Sequence, residues 1–179
     1  MKEIPIGQHH LNAQPAVMGL TFNTRGECAL RQGRRSVPGQ ACFITFTASQ
    51  RRRWFETWEH GSTMAAAIAS PSQWTGSELM AWVLMPDHWH GLLVLGTESR
   101  LGQTLQRAKG SSARLFNKRL GRRGSVWGAG FHDRALRSHE NLRAAARYLV
   151  ANPLRAGLVE RVGDYPFWDA TWLEGDCPI

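Results

Sequence analysis

Apolar and polar positions alternate and cluster in a way that divides the chain into elements from residue 41 onward. The segment 41-ACFITFTAS-49 mixes β-branched and aromatic residues with some alternation, which predicts a strand. Arginines 51–53 form a charged exit. The stretch 55–69, with its run MAAAIA, favours helix, although Gly61 weakens it. After a loop over 71–76, two apolar runs at about 77–85 and 88–95 meet at Pro86-Asp87, a turn pair. Residues 101–120 predict a helix with Leu101, Leu105, Ala108, Ser112 and Leu115 roughly on one face. Residues 126–136 are strand-like. Ser138 is placed to cap a helix over 139–151, with Glu140 in its first turn and Leu142, Ala145, Ala146, Leu149 and Val150 facing inward. Asn152 would cap a second short helix with Pro153 at its first position, ended by Gly157.

The order is strand, helix, strand, strand, helix, strand, helix. Its first six elements predict an α+β fold of the ferredoxin-like, split βαβ kind. This is an antiparallel sheet with helices on one face, here followed by a C-terminal helix that bears a tyrosine. Residues 1–33 show no sustained period and read as an irregular arm. Residues 34–168 read as a single domain and 169–179 as a tail, with the aromatic stretch from 165 expected to pack back onto the domain.

Composition narrows the partner. The chain has 179 residues, is 42% hydrophobic and carries a formal net charge of +8. Only three of its 22 basic residues are lysines (Lys2, Lys109, Lys118), and the rest are arginines. Arginine presents a planar fork of donors that matches phosphate and stacks on bases, so a polyanion, nucleic acid first, is the expected partner. An arginine-rich codon bias would give the same count, so position has to decide. Cys28, Cys42 and Cys177 form no CxxC pair, which argues against both a disulfide framework and a thiolate zinc site. No apolar run is long enough for a membrane span and no signal peptide is evident, so a cytoplasmic protein is expected.

The candidate chemistry lies in 82-WVLMPDHWHGLLVLG-96. Residues two apart on a strand share a face, so His88 and His90 project together while Trp89 points to the other side. Two such imidazoles can chelate a divalent metal and leave coordination positions open, as a catalytic metal requires. An HxH triplet also arises by chance, with each ring satisfied by a backbone carbonyl or by solvent. The chain has two tyrosines, Tyr148 and Tyr165, and Tyr148 lies on the predicted 139–151 helix away from its apolar stripe. Asn152 falls four residues later, on the same face. Phenols ionise only near pH 10, but beside a divalent cation the anion is favoured and can attack a phosphodiester. An amphipathic surface tyrosine and a capping asparagine are the plainer readings of these two residues.

Four segments together resemble a known family. The run 85-MPDHWHGLLV-94 is similar to the His-hydrophobic-His motif of single-tyrosine transposases, and 147-RYLVANPLRAGLV-159 resembles the tyrosine helix of their REP-associated branch. The segments 34-RRSVPGQACFITFTAS-49 and 125-SVWGAGFHDRALRS-138 resemble that branch's first strand and its late Trp/Asp strand. Asp87 stands where Asn is more usual, a change expected to matter little in a turn.

The resemblance implies that His88, His90 and Asn152 bind Mg²⁺ or Mn²⁺. It implies that Tyr148 attacks a single-stranded DNA phosphate to give a 5′-phosphotyrosine and a free 3′-hydroxyl. Rejoining would then need no ATP. It implies palindromic REP-type hairpin DNA as substrate, action as a monomer, and a nucleoid-associated place in a bacterial cytoplasm. Arg34 and Arg35 would hold guide bases. Arg107, Lys109, Arg114, Lys118 and Arg119 would follow hairpin phosphates, although a solvated helix face explains each of them singly. His132 and Asp133 are left without a role.

The rival expectations are a domesticated hairpin-binding protein that does not cut, a metal phosphohydrolase without a covalent step, and an RNA-binding module with aromatics across its sheet.

Overall fold

A computed structural model of the chain describes residues 37–137 and 141–174. Arg34, Arg35, Ser138, Glu140 and the arm over 1–33 lie outside the described residues. The elements are β1 (Ala41–Thr47), α1 (Trp58–Ala69), β2 (Ser77–Met85), β3 (His88–Leu95), α2 (Leu101–Arg119), β4 (His132–Ala135), α3 (Leu142–Val150), α4 (Asn152–Arg155) and β5 (Trp168–Ala170). They form a five-stranded sheet in the order β4-β1-β3-β2-β5, antiparallel throughout. The first four strands reproduce the predicted split βαβ order. The fifth adds an edge beside β2 from within the aromatic stretch expected to pack back, where only three residues pair and no strand was legible.

The pleat sorts the core. Thr45 and Thr47 of β1 stand opposite His90 and His88, and Val83 and Met85 of β2 flank the same two histidines. These residues share one face of the sheet. Phe46, Trp89 and Leu84 share the other. On that second face Trp89 is fully buried, stacking on Phe46 at 5.0 Å and on Trp74 at 5.4 Å between ring centroids. The side chains of α2 reach this face: Lys109 lies over the Phe46 ring, and Trp127, edge-on to Phe46, donates to Ser112 Oγ at 3.1 Å. Helix α1 packs against α2 and against Phe167, where a Cβ at Gly61 would overlap the ring. That contact is why a helix-weakening glycine sits in α1. The histidine face is buried at Val83 and Leu92 and is covered by α3, which packs against β2, β3 and β5.

Three local expectations are revised. Helix α1 starts at Trp58, three residues later than the composition of 55–69 suggested, because Thr57 caps it by accepting the His60 amide. Helix α2 turns Thr104, Leu105, Ala108, Ser112 and Phe116 inward, while Leu115 is 47% exposed. Phe116 fills the space because its edge meets Phe55 in the core. Regular pairing in the strand-like stretch 126–136 is limited to β4, with an isolated bridge between Ala48 and Trp127; Gly130, at φ 70°, bends the chain between them. Among the described residues no helix is long and apolar enough to cross a membrane.

Candidate active site

The β2–β3 turn sets the site. Pro86 and Asp87 join two paired strands, and their carbonyls are taken by the Phe55 and Ala48 amides at 3.0 and 2.8 Å. The turn is therefore anchored to the segment that leaves β1. From it, β3 starts directly on His88, so His88 and His90 emerge at adjacent same-face positions, with ring centroids 4.6 Å apart and planes at 81°. His88 Nδ1 lies 2.6 Å from Asp87 Oδ1, and His90 Nδ1 shares a 2.8 Å hydrogen bond with Thr45 Oγ1.

The electrostatics favour a neutral imidazole at His90. Burial, and then the charge His88 would carry, push the His90 pKa down to about 3, so His90 is neutral at physiological pH although an edge of the residue remains accessible. Burial alone would push the Asp87 carboxyl up. The hydrogen bond and charge of His88, with the Arg51 guanidinium 3.4 Å from Oδ2, outweigh it and hold the carboxyl below the usual range. Divalent metals bind neutral imidazole, so two adjacent imidazoles are a donor set that fits such an ion. Among the described residues no group of three His, Cys, Asp or Glu side chains is placed to hold a metal. A third protein ligand of another type, such as Asn152, would be required.

The helix that carries Tyr148 is capped by Asn141, whose Oδ1 accepts the Arg143 and Ala144 amides at 2.8 and 3.2 Å. Ala145, Ala146, Leu149 and Val150 are buried against the sheet, as the apolar stripe predicted, and Tyr148 is half-buried beside them. The chain does not turn away after α3. Ala151 stays near helical geometry, and the Ala151, Arg155 and Ala156 amides continue the i→i−4 pattern across the break. Asn152 is thus the first residue of α4 and not its cap; its Nδ2 donates to the Leu149 carbonyl at 2.8 Å. Pro153 follows at the second position, and Gly157, at φ 68°, comes just after the helix. Because the helical register persists, Arg155, seven residues after Tyr148, lies over the phenol ring at 4.1 Å.

The basic residues separate by role. Arg114, Lys118 and Arg119 are exposed on α2. Arg107 is exposed but donates to the Thr75 carbonyl at 3.0 Å. Lys109 is half-buried and is held by the Gly128 and Gly130 carbonyls, tying α2 to the loop before β4. Its ammonium thus holds the loop before β4 to the helix. The site histidines, by contrast, lie on the face that α2 does not cover. Asp87, Thr45, Arg51 and Arg155 were missed as site residues. Thr45 and Arg51 reach the site by strand pairing and backbone turn, which sequence spacing does not reveal. Arg155 had a signal in its i+7 position.

A curated relative, the REP-associated tyrosine transposase of Escherichia coli (strain K12), is 26% identical over 133 residues, covering 73% of this chain and 76% of the relative. A solved structure of a REP-associated tyrosine transposase bound to a REP hairpin shares the fold, with a TM-score of 0.61 and 23% identity over 76% of this chain and 79% of that one. Residues 37–151, more than half of the chain and including β1 to α3, match the IS200-like transposase family, and the chain belongs to that family.

Proposed function

We propose that the protein is a metal-dependent, single-strand-specific DNA endonuclease and strand transferase that acts on palindromic, REP-type hairpins through a 5′-phosphotyrosine at Tyr148. The observation that carries this reading is the pair His88 and His90. They sit side by side with each Nδ1 engaged by the protein, on the sheet face that the Tyr148 helix covers. His88, His90 and Asn152 would hold Mg²⁺ or Mn²⁺, which when bound polarises the scissile phosphate.

The chain's own residues supply the rest. Tyr148 Oη attacks phosphorus and forms the Oη–P bond as the P–O3′ bond breaks; the phenolic proton passes to solvent, and the leaving 3′-oxygen takes up a proton from solvent to become a hydroxyl. The phosphodiester energy is kept in the link, so rejoining needs no ATP. Donation from Asn152 Nδ2 to the Leu149 carbonyl fixes the amide and leaves Oδ1 as the atom that would coordinate. Arg155 stacked on the phenol keeps cationic charge beside the developing phenolate. Because α3 packs on the sheet of its own chain, the reading favours action by a monomer. Exposed Arg114, Lys118 and Arg119 would follow hairpin phosphates, with Arg34 and Arg35 holding guide bases.

The test is a covalent adduct on a denaturing gel after incubation with single-stranded hairpin DNA and Mn²⁺. Tyr148→Phe is expected to abolish the adduct and leave hairpin binding intact. An adduct that persists in this variant would remove Tyr148 as nucleophile. Cutting without an adduct would point to a phosphohydrolase, and binding alone to a hairpin reader that does not cleave.

A further inference from the structure

We propose that Asp87 is a positioning residue that fixes His88 in the Nδ1–H tautomer, so that Nε2 is the nitrogen His88 offers to a metal. The inference rests on the reading of His88 as a metal ligand. A neutral imidazole carries one proton, and the partner of one nitrogen decides which atom holds it. Asp87 Oδ1 lies 2.6 Å from His88 Nδ1, and a carboxylate oxygen can only accept. Nδ1 must therefore donate. An asparagine at this position would behave differently, because its amide can flip and present either a carbonyl oxygen or an NH₂ group, permitting both tautomers. Thr45 beside His90 is ambiguous in the same way, since a hydroxyl both donates and accepts. At His88 the neighbouring carboxylate dictates where the proton sits.

The carboxylate is itself held from two directions. Its main chain is anchored by the Ala48 amide, and Oδ2 faces Arg51 at 3.4 Å. To bring Arg51 there, the chain leaving β1 passes through two consecutive left-handed residues, Gln50 at φ 56° and Arg51 at φ 54°. Neither is glycine, so this conformation is strained. It is kept by hydrogen bonds from the Ser49 amide to the Val126 carbonyl at 2.8 Å and from the Arg51 amide to the Ala48 carbonyl at 3.0 Å. The Arg51 side chain is 64% exposed, so the ion pair adds little stability and acts mainly to aim the carboxylate.

The experiment uses the full-length chain. Long-range ¹H–¹⁵N spectra of the histidine rings in the metal-free protein should show His88 as the Nδ1–H tautomer; an Nε2–H tautomer would overturn the proposal without any variant. Mn²⁺ affinity, read by electron paramagnetic resonance, should fall about 10- to 100-fold in Asp87→Asn, with His88 then populating both tautomers. An unchanged affinity in Asp87→Asn would overturn the proposal alone. Failure of the unmodified chain to bind Mn²⁺ would overturn the metal-site reading, and the proposal with it.

Discussion

Trp89 does more than separate the two histidines. Its indole folds back along the sheet over Gly91, where a Cβ would overlap the ring, and in that position it stacks on both Phe46 and Trp74. Gly91→Ala should therefore push the indole off its platform. A loss of about 1–3 kcal/mol is expected in denaturant unfolding, the usual range for overpacking. Wild-type stability in that variant would refute the account.

Tyr165, the tyrosine without a part in the proposed chemistry, is buried and donates to the Leu84 carbonyl at 2.7 Å. Burial pushes its pKa up to about 12, against the opposing charge of Arg53. An unfolded phenol ionises near pH 10, so between about pH 10 and 12 the folded state holds a proton that the unfolded state has lost. Stability should fall as pH rises through that window. Tyr165→Phe should lose this alkaline slope and cost about 1 kcal/mol at neutral pH, as measured by unfolding titrations at a series of pH values.

At the level of elements, the tyrosine helix depends on one cap. Helix α3 has nine residues, too short to persist without tertiary packing, and Asn141 satisfies two of its first amides. Asn141→Ala should cost about 1 kcal/mol and slow adduct formation more than hairpin binding, because the helix presents Tyr148. Equal losses in both would show that the cap serves the whole domain. The sequence located this helix through its apolar stripe but misplaced its start, since Ser138 and Asn141 are both good caps and nothing local chooses between them. The same limit explains the edge strand β5. Three residues carry no readable period, and their pairing with Ala81, Trp82 and Val83 is decided by the exposed edge of β2.

For the whole molecule, charge is segregated along the chain. Between Glu98 and Asp133 there are basic residues and no acidic ones, and this stretch includes all of α2. Helix α2 lies on the Trp89 side of the sheet and the histidines on the other, so on the proposed reading DNA held by Arg114, Lys118 and Arg119 would have to extend around an edge to reach the site. Replacing these three by glutamine should weaken hairpin binding. The slope of log affinity against log salt should become shallower by roughly 0.7–0.9 for each phosphate that is no longer neutralised. The adduct yield on saturating DNA should be retained. An unchanged salt slope would remove α2 from the DNA path. Lys109 and one guanidinium nitrogen of Arg107 donate to backbone carbonyls.

The sequence by itself determined the order of the elements from β1 to α4, the split βαβ sheet, the shared face of His88 and His90, and the helix that bears Tyr148. Each is a consequence of period, two for strands and 3.6 for helices, and period is written locally. Tertiary structure alone decided which side chains hold the histidines. Judged as turn residues, Asp and Asn at position 87 are equivalent; placed 2.6 Å from an imidazole nitrogen they are not, since only the amide can also donate. Thr45 and Arg51 lie 45 and 36 residues from their partners and arrive by strand register and a left-handed turn. Contacts across such separations depend on how the whole sheet closes, and no local pattern encodes them.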